Sequence, residues 1–391
     1  MAVKNVKQIM VSKKKNILWI TPFFRPNIGG VESHLNDLSE ILIKKDYNVV
    51  VLTYKPLTNN VKGLSKEVIN NFQIRRYRWF GNNLFHKLEK YPLLEFLYIT
   101  PYLFLSSFLF TLLHHSRIDV IHAHGLNAAF IARIIAHFFK KRIVMSTYAV
   151  YNFNPDKLFS KIVAWVLRPF DKILSLGNQS RKELLKIGIP EEKIATYYLW
   201  IAQDLYKPLP KQISKESIGF SNKFLALFVG RYIAAKGVDI IIELSSQLEQ
   251  IQFILIGDAG PLLGKIKNEA KKRNNITVVE GIMGLKLIPY YQAADILLVP
   301  SIYPEAFGKV VIEAFSCGTP VLASNAGALA DIVTSPVGKT GPATVEFFKK
   351  ELEYFYNHPD VLAEIAANCR SYAEEYFSHK NAATIENCYH S

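Results

Sequence analysis

A chain of 391 residues is longer than one hydrophobic core of ordinary size organises, and it suits two domains of similar length. Half of its residues are apolar and a fifth are charged, which excludes disorder over most of the length. The 47 Lys and Arg against 33 Asp and Glu give a formal net charge of +14, a balance that gathers anions without choosing among a nucleotide, a nucleic acid and an anionic membrane surface.

The first fifteen residues are basic and polar, without a placed cleavage site, and read as a flexible arm. NILWITPFF, Asn16 to Phe24, is a strand that runs into the glycine loop RPNIGG and then a helix with Val31, Leu35, Leu38 and Leu42 on one face. YNVVVLTY is the next strand. The segment Leu93 to Leu113 is apolar enough to span a membrane, but Glu95 and Pro101 interrupt it. It reads as a buried or half-buried helix pair, with lipid contact and a true span as alternatives. DVIHAH, the helix NAAFIARIIAHFF, RIVMSTY and DKILSLG then resume the alternation of strand and helix, which dictates a parallel sheet covered on both sides.

A polar, turn-rich stretch ends at Lys223, and FLALFVG starts the same pattern again. The expected domains are an arm at 1–15, a first Rossmann-like domain at 16–200 and a second at 201–370. In such sheets ligands bind beyond the carboxyl ends of the strands. The basic runs VKNVKQIMVSKKK, QIRRYR around Arg75 and KNEAKKR ending at Arg273 read as solvated faces, the first two also as candidates for membrane adhesion. They lack interleaved aromatic platforms, so nucleic acid is not an expected partner. Cys317, Cys369 and Cys388 show neither metal-ligand spacing nor a disulfide framework, and a reducing compartment follows.

Four constellations carry chemistry. Gly29 and Gly30 open a helix and let backbone N–H groups approach an anion, although loop glycines serve turns equally well. Arg231 and Lys236 follow a strand end, five residues apart, where two cations suit a diphosphate. In VPSIYPEAFGKVVIEAFSCGTPVLAS, Glu305 follows a strand and turn, Gly308 permits close backbone approach, and Glu313 falls inside an apolar helix where a carboxylate must find donors. Capping or salt-bridge roles account for these glutamates equally well on residue type alone. His122 and His124 share one side of a strand end, one of them expected to be satisfied structurally. Their HxH spacing without further ligands is not a zinc site.

Over almost its whole length the chain resembles the retaining GT-B glycosyltransferases of glycosyltransferase family 4, most strongly at PEAFGKVVIEAFSCGTPVLAS, which is similar to the family's Glu-x7-Glu stretch. The resemblance implies an α/β fold of two Rossmann-like, doubly wound domains facing a central cleft, with a C-terminal helix at 371–391 that returns to the first domain. It implies that Gly29 and Gly30 lie near the donor phosphates, with Glu32 following them, and that His124 lies near the transferring sugar and its acceptor. Arg231 and Lys236 match the pair that neutralises the leaving diphosphate, and Asp258 belongs to a GDAGP turn like the family's GxGP. Ile282 takes the base-contacting turn, and Glu305 holds sugar hydroxyls. Phe307 and Gly308 give backbone contacts, and Glu313 holds ribose.

The implied activity is transfer of a hexose, with retention, from a UDP-hexose or GDP-mannose to an acceptor hydroxyl, without metal or other cofactor. The family's frequency favours UDP. The basic, aromatic first domain suits a lipid-linked saccharide or glycolipid at the cytoplasmic face of a membrane, with a soluble acceptor as the alternative. Two departures bear on the acceptor side: Tyr148 or its neighbours stand where the family often has a second histidine, and LWIAQDLY replaces the usual turn between domains. They keep a nucleotide-sugar-binding subunit that needs a partner as a rival, beside an epimerase or phosphorylase on the same fold. No GxGxxG follows the first strand, which disfavours a NAD-dependent dehydrogenase.

Overall fold

Strand after strand in this chain is apolar without alternation, as parallel strands covered on both faces must be. The computed structural model describes residues 15–27, 29–57, 61–81, 84–88, 91–257 and 260–390. Most of the basic arm, residues 1–14, and the proposed donor residue Asp258 lie outside the described residues.

The strands of the first half are β1 (Asn16–Ile20), β2 (Asn48–Tyr54), β3 (Lys66–Ile69), β4 (Phe72–Tyr77), β5 (Val120–His124), β6 (Arg142–Ser146), β7 (Lys172–Leu176) and β8 (Ile194–Tyr197). They form one sheet in the order β3-β4-β2-β1-β5-β6-β7-β8. Pairing is parallel from β4 to β6, with Ile17 opposite Val49 on one side and Val120 on the other, while β3 is antiparallel to β4. The second half supplies β9 (Phe224–Val229), β10 (Ile251–Ile256), β11 (Ile276–Val279), β12 (Ile296–Val299), β13 (Val321–Ser324) and β14 (Gly338–Gly341), in the order β11-β10-β9-β12-β13-β14. All of its pairs are parallel. This is the doubly wound α/β class that the sequence implies.

The chain divides into two compact units, one of residues 1–146, 165–173 and 386–391, the other of 147–164 and 174–385. The first unit's opening segment ends at Ser146, while the sheet that contains β1 runs on through β8 to Tyr197. Within the second unit, the Glu183 carboxylate accepts the backbone N–H groups of Tyr151 and Asn152, each at 2.7 Å, and so binds segment 147–164 to the helix Gly177–Lys186. Thr147 and Ser180 share a further hydroxyl hydrogen bond of 2.6 Å.

Two expectations are corrected. The apolar segment is not a helix pair: Pro92–His114 is one helix with Pro101 inside it. Tyr98, Ile99, Leu103 and Phe110 are buried on either side of the proline, whose ring stands on the exposed face, so packing overrides the local break. Nor is QIRRYR a solvated run. It is β4, with alternate residues Phe72, Ile74 and Arg76 buried, and Arg76 donates to Glu67 Oε2 at 2.8 Å and to the carbonyls of Arg25 and Leu64. The run KNEAKKR does lie on a solvated helix, where Lys272 and Arg273 pair with Glu269.

Candidate functional site

In each unit the sheet order turns at its first strand. β9 has β10 on one side and β12 on the other, and β1 is flanked in the same way by β2 and β5. Connections from such neighbours leave in opposite directions and open a crevice at the carboxyl ends. The residues singled out by sequence fall at those ends.

In the second unit, β9 ends at Val229 and the chain passes through Gly230, Arg231 and a 3-10 turn, Ala234–Lys236, into the helix Val238–Gln247. Gly237 joins turn to helix with φ 70, and a Cβ there would overlap the Pro300 carbonyl, so only glycine lets this turn lie against the end of β12. That approach brings Lys236 Nζ to 2.5 Å from Glu305 Oε1. Ser301 Oγ donates to the same oxygen at 2.5 Å, and Ser324 Oγ fixes the Ser301 carbonyl at 2.6 Å. The Glu305 backbone bridges to Gly327, whose φ of 68 and lack of a Cβ permit the contact. Both charged side chains are partly exposed, and Arg231 is exposed beside them along the chain. A cation, a carboxylate and a hydroxyl are thus held together on rigid strand ends.

Glu313 lies one turn into the helix Lys309–Ser316 and is buried. Its donor includes the Tyr291 hydroxyl, at 2.8 Å from Oε2. Burial first, and the Glu313 carboxylate second, push the Tyr291 phenol well above its ordinary range, so it stays a donor. Gly308 caps this helix with φ 92. Phe307 is buried against Tyr198 and Phe377, with centroids at 6.2 and 5.9 Å, which leaves its backbone rather than its ring for contact with a ligand. Ile282 is half-buried in the turn after Gly281.

In the first unit, Gly29 and Gly30 are exposed at the start of the helix Gly30–Lys44. The Glu32 carboxylate folds back over Gly29 where the sequence reading expects an anion. Burial holds that carboxyl above its usual range, against the opposing hydrogen bond from its own backbone N–H. An arriving phosphate therefore requires Glu32 to turn away or take up a proton. His122 is the structurally satisfied histidine, with Nδ1 at 2.8 Å from Tyr389 Oη and Nε2 at 2.8 Å from Ser146 Oγ. His124 is buried edge-on to Trp19 at 4.7 Å and stands 4.0 Å from the His122 ring. Burial, with His34 adding repulsion, lowers His122 to about 3. Burial, then His122 and His34, hold His124 well below its ordinary range. Both imidazoles are neutral at physiological pH.

Sequence reasoning did not find Ser301, Tyr291 and Tyr389. Ser301 lies four residues before Glu305, within reach of the motif. Tyr291 and Tyr389 meet their partners across 22 and 267 residues, and no local spacing announces them.

Family comparison now adds to this geometry. The model described as Glycosyltransferase Family 4 matches residues 28–203, and the one described as Glycosyl transferases group 1 matches residues 210–376. The phosphatidylinositol N-acetylglucosaminyltransferase GPI3 subunit of Saccharomyces cerevisiae is 24% identical over 340 residues, covering 81% of this chain and 70% of the yeast protein. Sucrose-phosphate synthase from Thermosynechococcus elongatus has a similar fold, with TM-score 0.78 and 20% identity over 96% of this chain and 98% of that one. So does Anabaena HepE in complex with UDP and glucose, with TM-score 0.75 and 19% identity over 96% of this chain and 100% of that one. These likenesses show a GT-B fold.

Proposed function

We propose that this chain, which belongs to glycosyltransferase family 4, transfers a hexose from a UDP-sugar, with retention, to a hydroxyl of a lipid-linked saccharide or glycolipid at the cytoplasmic face of a membrane. The observation that carries the reading is the Lys236, Glu305 and Ser301 cluster, assembled at the switch point of the second unit's sheet. HepE binds UDP and glucose, which supports the choice of UDP. The yeast relative's name refers to phosphatidylinositol, which supports a lipid acceptor.

In this reading Arg231 and Lys236 take the negative charge that grows on the diphosphate as the sugar–phosphate bond breaks, so their help is largest in the transition state. Glu305 accepts hydrogen bonds from sugar hydroxyls, and donor binding draws Lys236 from the carboxylate towards the phosphates. Glu313, positioned by Tyr291, accepts from the ribose diol, while Ile282 meets the base. The backbone of Phe307 and Gly308 contacts the donor, and Gly29 and Gly30 are the first unit's candidates for an anion. His124 enters as a neutral hydrogen-bonding group beside the acceptor. The acceptor oxygen bonds to the anomeric carbon, and its proton passes to the leaving phosphate oxygen. The reaction needs no metal, so turnover persists in a chelator.

The test is thermal stabilisation by UDP, GDP, ADP and their hexose conjugates without added metal. A ligand at a hundred times its Kd stabilises the fold by about 2.7 kcal/mol. The expected result is a shift with the UDP series. A shift confined to GDP reassigns the donor, and silence across the panel in folded protein overturns the catalytic reading in favour of a subunit that needs a partner.

A further inference from the structure

At the amino edge of the first unit's sheet, away from the strand ends that hold His124, the helix Leu126–Phe139 ends on Lys140, and Lys141 and Arg142 lead into β6. With Arg133, His137 and Trp165 these residues line a cavity of about 740 Å³. Four cations face it against one carboxylate, that of Asp171, which already accepts the Ile143 N–H at 2.7 Å. A helix C-terminus favours one cation and does not account for four. Arg133 stacks on the Trp165 ring at 3.6 Å, and Trp165 is 55% exposed.

The cavity continues into an apolar face. On the helix Pro92–His114 the residues Leu94, Leu97, Pro101, Leu105, Leu109 and Leu112 recur every three or four positions and are all exposed. Such spacing keeps them on one face for the length of the helix. The two features are joined by Phe108, which packs on Phe138 at 5.7 Å, itself 65% exposed beside His137. The opposite face of the helix is tied to its own unit: Tyr54 Oη donates to the Ile99 carbonyl at 2.6 Å and Trp79 Nε1 to that of Tyr98 at 2.9 Å. The segment 92–117 is long and apolar enough to cross a membrane, but crossing would tear those contacts.

We propose that this face of the first unit docks on an anionic phospholipid bilayer, with the helix Pro92–His114 lying in the interface and the basic cavity taking headgroup phosphate. Arginine forks and lysine ammonium groups suit phosphate oxygens, and Trp165 and Phe138 suit the interfacial layer. The inference stands apart from the donor chemistry and gives the membrane-resident acceptor of the proposed function a docking surface.

The experiment is flotation of the full chain with vesicles of phosphatidylcholine alone or mixed with phosphatidylglycerol. The wild type is expected to float with the mixed vesicles, not with the neutral ones, and to release as salt rises. K140Q/K141Q weakens binding about twenty-five-fold, at roughly fivefold per cation, and L105Q/L109Q abolishes it. Both variants keep the wild-type shift with UDP, which separates failure of docking from failure of the donor reading. Wild type that ignores phosphatidylglycerol, or variants that bind as it does, overturns the proposal. So does stabilisation by inorganic phosphate, lost in K140Q/K141Q, without vesicle binding, which makes the cavity a soluble-anion site. Self-association relieved by L105Q/L109Q without vesicle binding makes the face a protein interface instead and likewise overturns it.

Discussion

Glu305 uses one oxygen twice, for Lys236 and for Ser301, so removal of the lysine leaves the carboxylate held but its charge uncompensated. Lys236→Ala is expected to lower kcat by about a hundredfold or more, the scale of removing one donor to developing charge, while UDP affinity changes far less. Unchanged kcat at saturating donor would sink the diphosphate role. Glu305→Ala is expected to reduce discrimination between UDP-hexose and bare UDP, read by calorimetry; equal loss of both would point to a different role for the residue. His122 and His124 make a separate prediction. Their folded pKa values lie below the unfolded one, so the unfolded chain binds more protons as pH falls through about 6.5, and stability drops from there towards the folded pKa, about 3 for His122. Each contributes a slope of about 1.4 kcal/mol per pH unit in that window. Urea titrations between pH 7 and 5 measure it, and His122→Phe should remove one such share; an unaltered slope would show that the imidazole is charged in the folded state.

At the scale of elements, Glu183 holds segment 147–164 through two backbone N–H groups. Glu183→Ala leaves both donors without the carboxylate, at about 1–3 kcal/mol each. Limited proteolysis should then cut within 147–157 while the strands of the second unit stay intact; resistance equal to wild type would mean that other contacts hold the segment. The same element shows where sequence legibility ends. The strand–turn–helix around Glu305, Gly308 and Glu313 was readable because strand, turn glycine and helix succeed one another between Ile296 and Ser316, and each leaves a local mark. The place of Arg231 and Lys236 just past the end of β9 was readable for the same reason. The attachment of Tyr151 to Glu183 was not, since a polar loop and a distant helical glutamate show no periodicity in common. The continuous helix through Pro101 failed in the other direction: its local signal was strong and its packing overruled it. β3 and β4 escaped because QIRRYR looks like a charged surface until Arg76 finds Glu67 on the neighbouring strand.

At the scale of the whole molecule, the last residues of the chain belong to its first unit. Tyr389 is fully buried and hydrogen-bonded to His122, and Glu386 accepts from Lys45 at 2.7 Å through Oε1 and 2.9 Å through Oε2. Tyr47 lies within 3.1 Å of His390. Ending the chain at Ile385 thus removes an aromatic side chain from the core beside β5 and takes a partner from a buried imidazole. Loss of a buried aromatic alone costs about 3–5 kcal/mol, a hundredfold to a thousandfold or more in the local opening equilibrium. Hydrogen exchange should quicken by that factor in β5, which carries His122, and in its neighbour β1, and remain unchanged in β9 and β12 of the second unit. Stabilisation by UDP, proposed to arise at Lys236, Glu305 and Glu313, should survive the truncation. Exchange that rises equally in β9 and β12 would show that the terminal residues support the entire chain rather than the first unit, and unchanged exchange in β5 would show that Tyr389 contributes nothing to holding the histidine pair.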